Sequence, residues 1–261
     1  MFESGPVTTT AALEALVSTL SRVDADVSDA ERIDQLGLLE QVKSACAAAQ
    51  ARITVDFADS QEDVAAAWNE RAREAADGDD FEGWRTAREQ ARRATVETAE
   101  AAEAWTRPGR RCRRPDQAVG VAGQVALARR ESPSQGSRHV TTALALVRQM
   151  PRTLAALESG VLSEWRAAVI VRETAVLTAE QRTAADDELA STIGDELGML
   201  GDRELARRVQ AIAYRIDAAS VVARSRAAEK DRRVTIRPAP DTMAYVTALL
   251  PWRRRWRRMR R

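Results

Sequence analysis

A single histidine, His139, is the whole imidazole supply of this 261-residue chain. As a general base it would need a hydroxyl nucleophile beside it, and Ser137 and Thr141 are the neighbours of the right type. Its setting after a Ser/Gly stretch reads instead as the start of a helix, where a histidine needs no chemical role. Two cysteines, Cys46 and Cys112, stand 66 residues apart, a spacing that suggests neither a disulfide framework nor a Cys-rich zinc site. Carboxylates cluster at Asp186-Asp187-Glu188 and Asp195-Glu196. Neighbouring positions on a helix point to different faces, so these groups do not converge on one ion and read as a solvated face. No catalytic residue, metal ligand or cofactor is assigned.

Arginine is the residue that could do something else. The run RPGRRCRRP places Arg107, Arg110, Arg111, Arg113 and Arg114 within eight residues. Its prolines and glycine make it a loop, and five guanidinium groups there could neutralise several phosphates of DNA. No aromatic interleaves the loop, so base stacking is not indicated. The plainer account pairs it with the acidic run carrying Glu97, Glu100 and Glu103. A second DNA-facing candidate is Leu157-x-x-Gly160-x-Leu162-Ser163 followed by an amphipathic helix, a helix-turn-helix-like pattern. It would set Ser163, Glu164 and Arg166 at the groove-facing end. Trp165 and the Ala-rich face fit packing inside a bundle equally well, and that account is preferred.

The elements that must position these groups are helices. The chain is 44% hydrophobic and only 4% aromatic, 30% charged and poor in Gly and Pro. Its apolar mass is mostly Ala, Leu and Val; Ala is the best helix former, and Leu and the abundant Arg also rank high. Of 40 basic residues 38 are Arg, which a GC-rich coding sequence explains. Net charge is +1, yet Trp252–Arg261 holds seven Arg; without them 33 basic residues face 39 acidic ones, a balance of −6. The body therefore does not read as a general nucleic-acid binder. After Met1 no charged segment leads into an apolar one, and no apolar run approaches the roughly 18 residues of a membrane span. A cytoplasmic address without membrane or small-molecule partners is expected.

Along the chain, 1–27 reads as an N-terminal helix and linker, the helix carrying Leu13, Leu16, Val17 and Leu20. Residues 28–106 read as a long helical hairpin. Ser28 with Glu31 has capping-box spacing, and a stripe of Leu39, Val42, Cys46, Ala49 and Ile53, extended by Phe57, Val64 and Trp68, follows. One helix over 29–77 would be about 70 Å long. Asp77-Gly78-Asp79-Asp80 turns the chain into a second helical run, 81–105, and such a hairpin could mediate homo-oligomerisation. The Arg-rich loop fills 107–115. A bundle over 116–231 is read as helices at 116–131, 138–149, 151–159, 163–176, 179–193, 202–215 and 217–229. Its core is assigned to Leu144, Val147, Leu154, Leu157, Trp165, Val169, Leu189, Leu205, Val209 and Ile212. Residues 232–250 read as a strand or hairpin remnant, with Arg233–Arg237 as one strand, Met243–Leu249 as its partner and Pro238–Asp241 between. The fold class is all-α: a long N-terminal helical hairpin, then a multi-helix bundle, with a small β-hairpin near the C-terminus.

Three long runs, 124–140 (QVALARRESPSQGSRHV), 146–182 (LVRQMPRTLAALESGVLSEWRAAVIVRETAVLTAEQR) and 232–251 (RRVTIRPAPDTMAYVTALLP), resemble the domain of unknown function 222 (DUF222) family, also called the 13E12 repeat family. Residues 47–61 resemble its preceding helix. The resemblance implies an actinobacterial setting and a helical region that often precedes an HNH-type endonuclease module. That module needs paired histidines and an Asn to hold a metal and activate water. After Pro251 this chain has ten residues with no His, Asn, Asp or Glu, so no nuclease residue is carried over. The expectation is a truncated, non-catalytic accessory domain that contacts DNA or a protein partner; the alternative is a self-associating structural protein. The tail over 251–261 is expected to be out of frame. Written in GC-rich codons and read one base earlier, WRRRWRRMRR becomes Val-Ala-Ala-Ala-Val-Ala-Ala-Tyr-Ala-Ala, which resembles how family members continue. The rival reading is a genuine cationic tail for acidic lipid or nucleic acid.

Overall fold

The computed structural model describes residues 9–22, 26–96, 120–230 and 232–250. Of these residues 75% are helical, in ten α-helices, with one two-stranded sheet near the C-terminus. Two units are distinguished, Met1–Glu40 and Gln41–Arg261. The first holds α1 (Thr10–Leu20), capped by Thr9, whose hydroxyl accepts the Ala12 N–H at 3.2 Å. It also holds the opening turns of α2 (Asp29–Asp77), where Ser28 Oγ accepts the Glu31 N–H at 3.2 Å. None of the described residues of this unit is buried.

α2 is one unbroken helix of 49 residues, about 70 Å long, as its sequence predicts. Its buried face is not the predicted stripe. Ser44, Ala47, Ala48, Ala51, Val55 and Ala58 turn inward, whereas Leu39, Ile53 and Val64 lie exposed. The reason is closeness: Ala51 and Val55 pack on Ala143 of a crossing helix, and small side chains allow that approach where larger ones would hold the backbones apart.

The turn at Gly78-Asp79-Asp80 leads to α3 (Phe81–Arg93), capped by Asp80, which accepts the Gly83 N–H at 2.9 Å. α3 folds back on α2, with Arg88 donating to Asn69 at 3.2 Å. The helix expected to reach residue 105 ends at Arg93, because Thr95 leaves it to accept the Val121 N–H at 3.0 Å. The Arg-rich loop at 107–115 and the tail at 251–261 lie outside the described residues.

The bundle follows as α4 (Val121–Ala128), α5 (Pro133–Gln149), α6 (Pro151–Glu158), α7 (Glu164–Glu173), α8 (Ala179–Ile193), α9 (Asp202–Ile216) and α10 (Ala218–Lys230). From α6 onward the ends fall within three residues of those read from sequence, because the caps are local. α8, for instance, opens on a complete capping box between Thr178 and Gln181. α5 starts five residues earlier than expected, taking in the Pro-Ser-Gln-Gly-Ser segment. Pro133 fits its first turn, and Gly136 lies where α4 crosses: a Cβ there would sit 2.0 Å from the Ala122 carbonyl oxygen. Leu146, Met150, Leu157, Leu162, Ile170, Leu205 and Val209 form the centre of the core. Leu154, Val169, Leu189 and Ile212 are buried as expected, and Leu144 and Val147 are half-buried. Trp165 is not a core residue: it is 61% exposed, its indole N–H held by Asp202 at 3.2 Å.

β1 (Arg233–Pro238) and β2 (Ala244–Leu249) form an antiparallel hairpin in which Ile236 faces Val246. Asp241 and Thr242 turn it with positive φ, 58° and 60°. Every residue of both strands is exposed.

Candidate functional site

α4 ends at Ala128 with Arg129 as its C-cap, and Arg130 takes φ 58° to turn the chain toward α5. That tight turn brings Arg129 and Glu131 beside His139, which lies inside α5 and not at its start. His139 Nε2 is 2.8 Å from Glu131 Oε2 and its Nδ1 is 3.3 Å from Oε1 of Glu164, the first residue of α7. Both ring nitrogens face carboxylate oxygens, so only the imidazolium can donate on both sides. Arg129 completes the cluster, donating to Glu164 at 2.7 Å and to Gln50 of α2 at 2.5 Å. The hydrogen bond to Glu164 raises the His139 pKa above its ordinary 6.5, against the opposing effect of burial, and Glu131 adds to the rise. The same bond, helped by Arg129, lowers the Glu164 carboxyl below its ordinary 4.5 despite burial.

This cluster has the residue types of a catalytic centre but the geometry of a clamp. The cavity beside it, bordered by Gln50, Thr54, Thr142 and Glu164, measures about 20 Å³. That is room for about one water molecule and not for a substrate. The cluster ties together α2, the α4–α5 turn, α5 and α7. His139 and Glu164 were each singled out beforehand, Glu164 for a different role, but their pairing was not: they are 25 residues apart and meet only through the fold.

Asp186 overturns the expectation of a solvated acidic face. It is 1% exposed and caps α6 from a distance, accepting the Arg152 N–H at 2.7 Å, the Thr153 N–H at 3.0 Å and the Thr153 hydroxyl at 2.5 Å. Met150 and Pro151 supply no side-chain cap for that helix, so its free N–H groups draw a carboxylate from α8. Burial pushes the Asp186 pKa up, while the hydrogen bonds from Thr153 and Arg152 pull the other way. The signal was present: Asp186 precedes Leu189 and Ile193 by three and seven residues, on the buried stripe of α8. Asp187 is exposed and pairs with Arg152 at 3.3 Å. Among the described residues no group of three or more His, Cys, Asp or Glu could hold a metal ion.

The three residues read as groove-facing have partners within the protein. Ser163 caps α7 through the Arg166 N–H, Glu164 belongs to the histidine clamp, and Arg166 reaches inward. Its guanidinium, 13% exposed, donates to the carbonyls of Leu197 and Leu200, the latter at 2.9 Å, and lies 3.8 Å from Asp202. Arg107, Arg110, Arg111, Arg113 and Arg114 lie outside the described residues. Two open grooves of about 470 Å³ run along α3, one past Trp84, Arg88 and Arg92, the other past Trp68, Gln90 and Gln124. No described helix is long and apolar enough to cross a membrane.

Remote caps and ion-pair clamps that fasten helix to helix define a helical-bundle domain. The chain belongs to the DUF222 family: the model described as "Domain of unknown function (DUF222)" matches residues 81–256, from α3 through the hairpin. No curated protein and no solved structure matches the chain.

Proposed function

We propose that this chain is a non-catalytic, cytoplasmic binding domain that contacts DNA and that, in its wider family, works beside an HNH-type nuclease. The observation that carries the reading is the closure of the histidine clamp. Among the described residues, the histidine cluster with the makings of acid–base chemistry is engaged on both ring nitrogens and encloses space for about one water. What remains for function is binding, for which the sequence offers the cationic run carrying Arg107, Arg110, Arg111, Arg113 and Arg114. Electrophoretic shift of a duplex at low and high salt tests this. A shift that weakens steeply with salt is expected; no shift at low salt refutes DNA contact. Incubation of the same nuclease-free sample with DNA and magnesium or manganese should leave the DNA intact. Cleavage would overturn the non-catalytic reading.

Self-association is the second reading, and a specific observation favours it. Leu13, Val17 and Leu20 of α1, and Ile33, Leu36 and Leu38 of α2, are exposed in a unit with no buried described residue. An 11-residue helix is marginal in water unless its apolar side is covered. Light scattering decides: a monomer at all concentrations removes the self-associating alternative.

A further inference from the structure

We infer that the polar face of the β1–β2 hairpin is a contact surface for the phosphate backbone of duplex DNA, set in the major groove; this rests on the reading of the chain as a DNA-contacting domain. Strand alternation and register sort the hairpin into two unlike faces. Val234, Ile236 and Pro238 with Ala244, Val246 and Ala248 make one face, wholly apolar. Arg233, Thr235 and Arg237 with Tyr245, Thr247 and Leu249 make the other. On that second face Thr235 and Thr247 are opposite each other at the centre, with an arginine two residues away on either side along β1.

Charge selects the partner. Elsewhere the described arginines are largely answered by carboxylates: Arg52 by Glu158, Arg148 by Asp59, Arg208 by Glu196 and Glu204, Arg215 by Glu188. Over 218–250 the sequence carries six cations, Arg224, Arg226, Lys230, Arg232, Arg233 and Arg237, against three acids, Glu229, Asp231 and Asp241, a net +3. Among the described residues none of these six cations is in an ion pair. An excess of exposed cations over acids suits a polyanion, whose condensed counterions are released on binding.

Geometry selects the groove. Arg233 and Arg237 are four residues apart on one strand, about 13 Å, close to the roughly 12 Å width of the B-DNA major groove, which admits a two-stranded ribbon. Seated there, the arginines reach phosphates on opposite walls and the two threonines face base edges, where hydroxyls donate or accept. The Arg237 guanidinium lies 5.0 Å from the ring centre of Tyr245, its cross-strand partner.

The test uses the full chain and a labelled mixed-sequence duplex, with affinity followed by fluorescence anisotropy between about 50 and 200 mM salt. Counterion release adds contact by contact, so Arg233→Ala with Arg237→Ala should lower the slope of log affinity against log salt by about 1.8 and weaken low-salt binding about tenfold. The decrement is read against whatever other cations contribute. Arg233→Lys with Arg237→Lys should keep the slope. A duplex bound by the double alanine variant with wild-type slope and affinity overturns the inference. If substituting Arg107, Arg110, Arg111, Arg113 and Arg114 then abolishes binding, DNA contact stands without the hairpin. A wild-type chain that fails to bind duplex at low salt removes both. Binding to single strands alone overturns the groove assignment. Unchanged far-UV helicity in the variants confirms that folding is not the cause.

Discussion

Arg166 and Arg233 are the same residue type in opposite circumstances. Arg166 lies within the bundle, 13% exposed, its donors set on two carbonyl oxygens beyond α8. Arg233 begins a hairpin whose residues are all exposed, and none of its described neighbours pairs with it. The contrast extends to the regions around them. In the bundle, charged and polar groups do structural work: Asp186 caps a helix from across the fold, His139 bridges two carboxylates, and Arg207 and Arg208 hold the Glu204 carboxyl down at about 2. In the segment from α10 to β2 the described charged residues are exposed. A buried polar group must be matched or it destabilises the fold, whereas an exposed cation is free to meet a ligand. Substitutions in the bundle should therefore move stability, and those in the hairpin should move binding and leave stability alone.

The largest effect is expected at Asp186. Asp186→Ala leaves the backbone N–H groups of Arg152 and Thr153 and the Thr153 hydroxyl without their acceptor, in a site that excludes water. A loss of about 3 kcal/mol, or roughly 10 °C in Tm, is expected by differential scanning calorimetry, with a smaller loss for Asp186→Asn, which keeps one acceptor oxygen. A Tm within a degree of wild type would show that the cap contributes nothing. Gly136→Ala comes next. The added Cβ meets the Ala122 carbonyl oxygen at 2.0 Å and the Ala126 Cβ at 2.7 Å, so α4 must move away from α5, at about 2 kcal/mol. Chemical denaturation measures it, and a neutral result would mean that the two helices cross less closely.

Smaller still is the pH dependence of the histidine clamp. The groups facing His139 are Glu131, Glu164 and Arg129, with Gln50, Thr54 and Thr142 uncharged around the adjoining cavity. A raised histidine pKa means that the folded state favours the imidazolium. Its contribution is complete below pH 6.5 and fades as pH rises through the higher folded value. The lowered Glu164 pKa works in the opposite sense: its contribution is present above pH 4.5 and is lost as pH falls through the folded value. The clamp is therefore strongest between about pH 4.5 and 6.5. His139→Gln should lower Tm most near pH 5.5 and progressively less toward pH 8.5. A Tm difference that stays constant over that range would show that His139 is neutral in the fold.

Local signals made much of the fold legible in advance, while crossings and long-range pairs stayed hidden. Pro151, Gly160 and the Thr178–Gln181 box mark helix ends through chemistry confined to a few residues, and the structure puts the ends there. Ser-Pro-Ser-Gln-Gly-Ser carries every mark of a loop, yet most of it is helix, because Gly136 answers the approach of α4 and not a need to turn. The buried stripe of α2 was displaced for a related cause. Hydrophobicity singles out Leu39 and Ile53, but the crossing with α5 selects Ala and Val. Trp165 was assigned inside on size and apolarity, whereas its N–H finds Asp202 at the surface. At the clamp the sequence offers one histidine and no way to pair it with Glu131 and Glu164 among 39 acidic residues.

The smallest effect belongs to the apolar face of the hairpin and tests the division from the other side. Val234, Ile236 and Val246 are 62%, 71% and 66% exposed, so replacing their outward atoms removes little packing beyond the cross-strand contacts of the hairpin itself. Val234→Thr with Ile236→Thr keeps β-branching and strand preference and adds hydroxyls that water can satisfy. The Tm should change by less than about 0.5 kcal/mol equivalent, the range of an ordinary surface substitution. Self-association through this face, if it occurs, should diminish in light scattering, since a contiguous exposed apolar surface promotes it. A drop of several degrees at a concentration where the chain is monomeric would mean that this face is covered within the chain. The hairpin would then belong to the folded core, and the contrast between a self-matched bundle and an outward-facing ribbon would have to be redrawn.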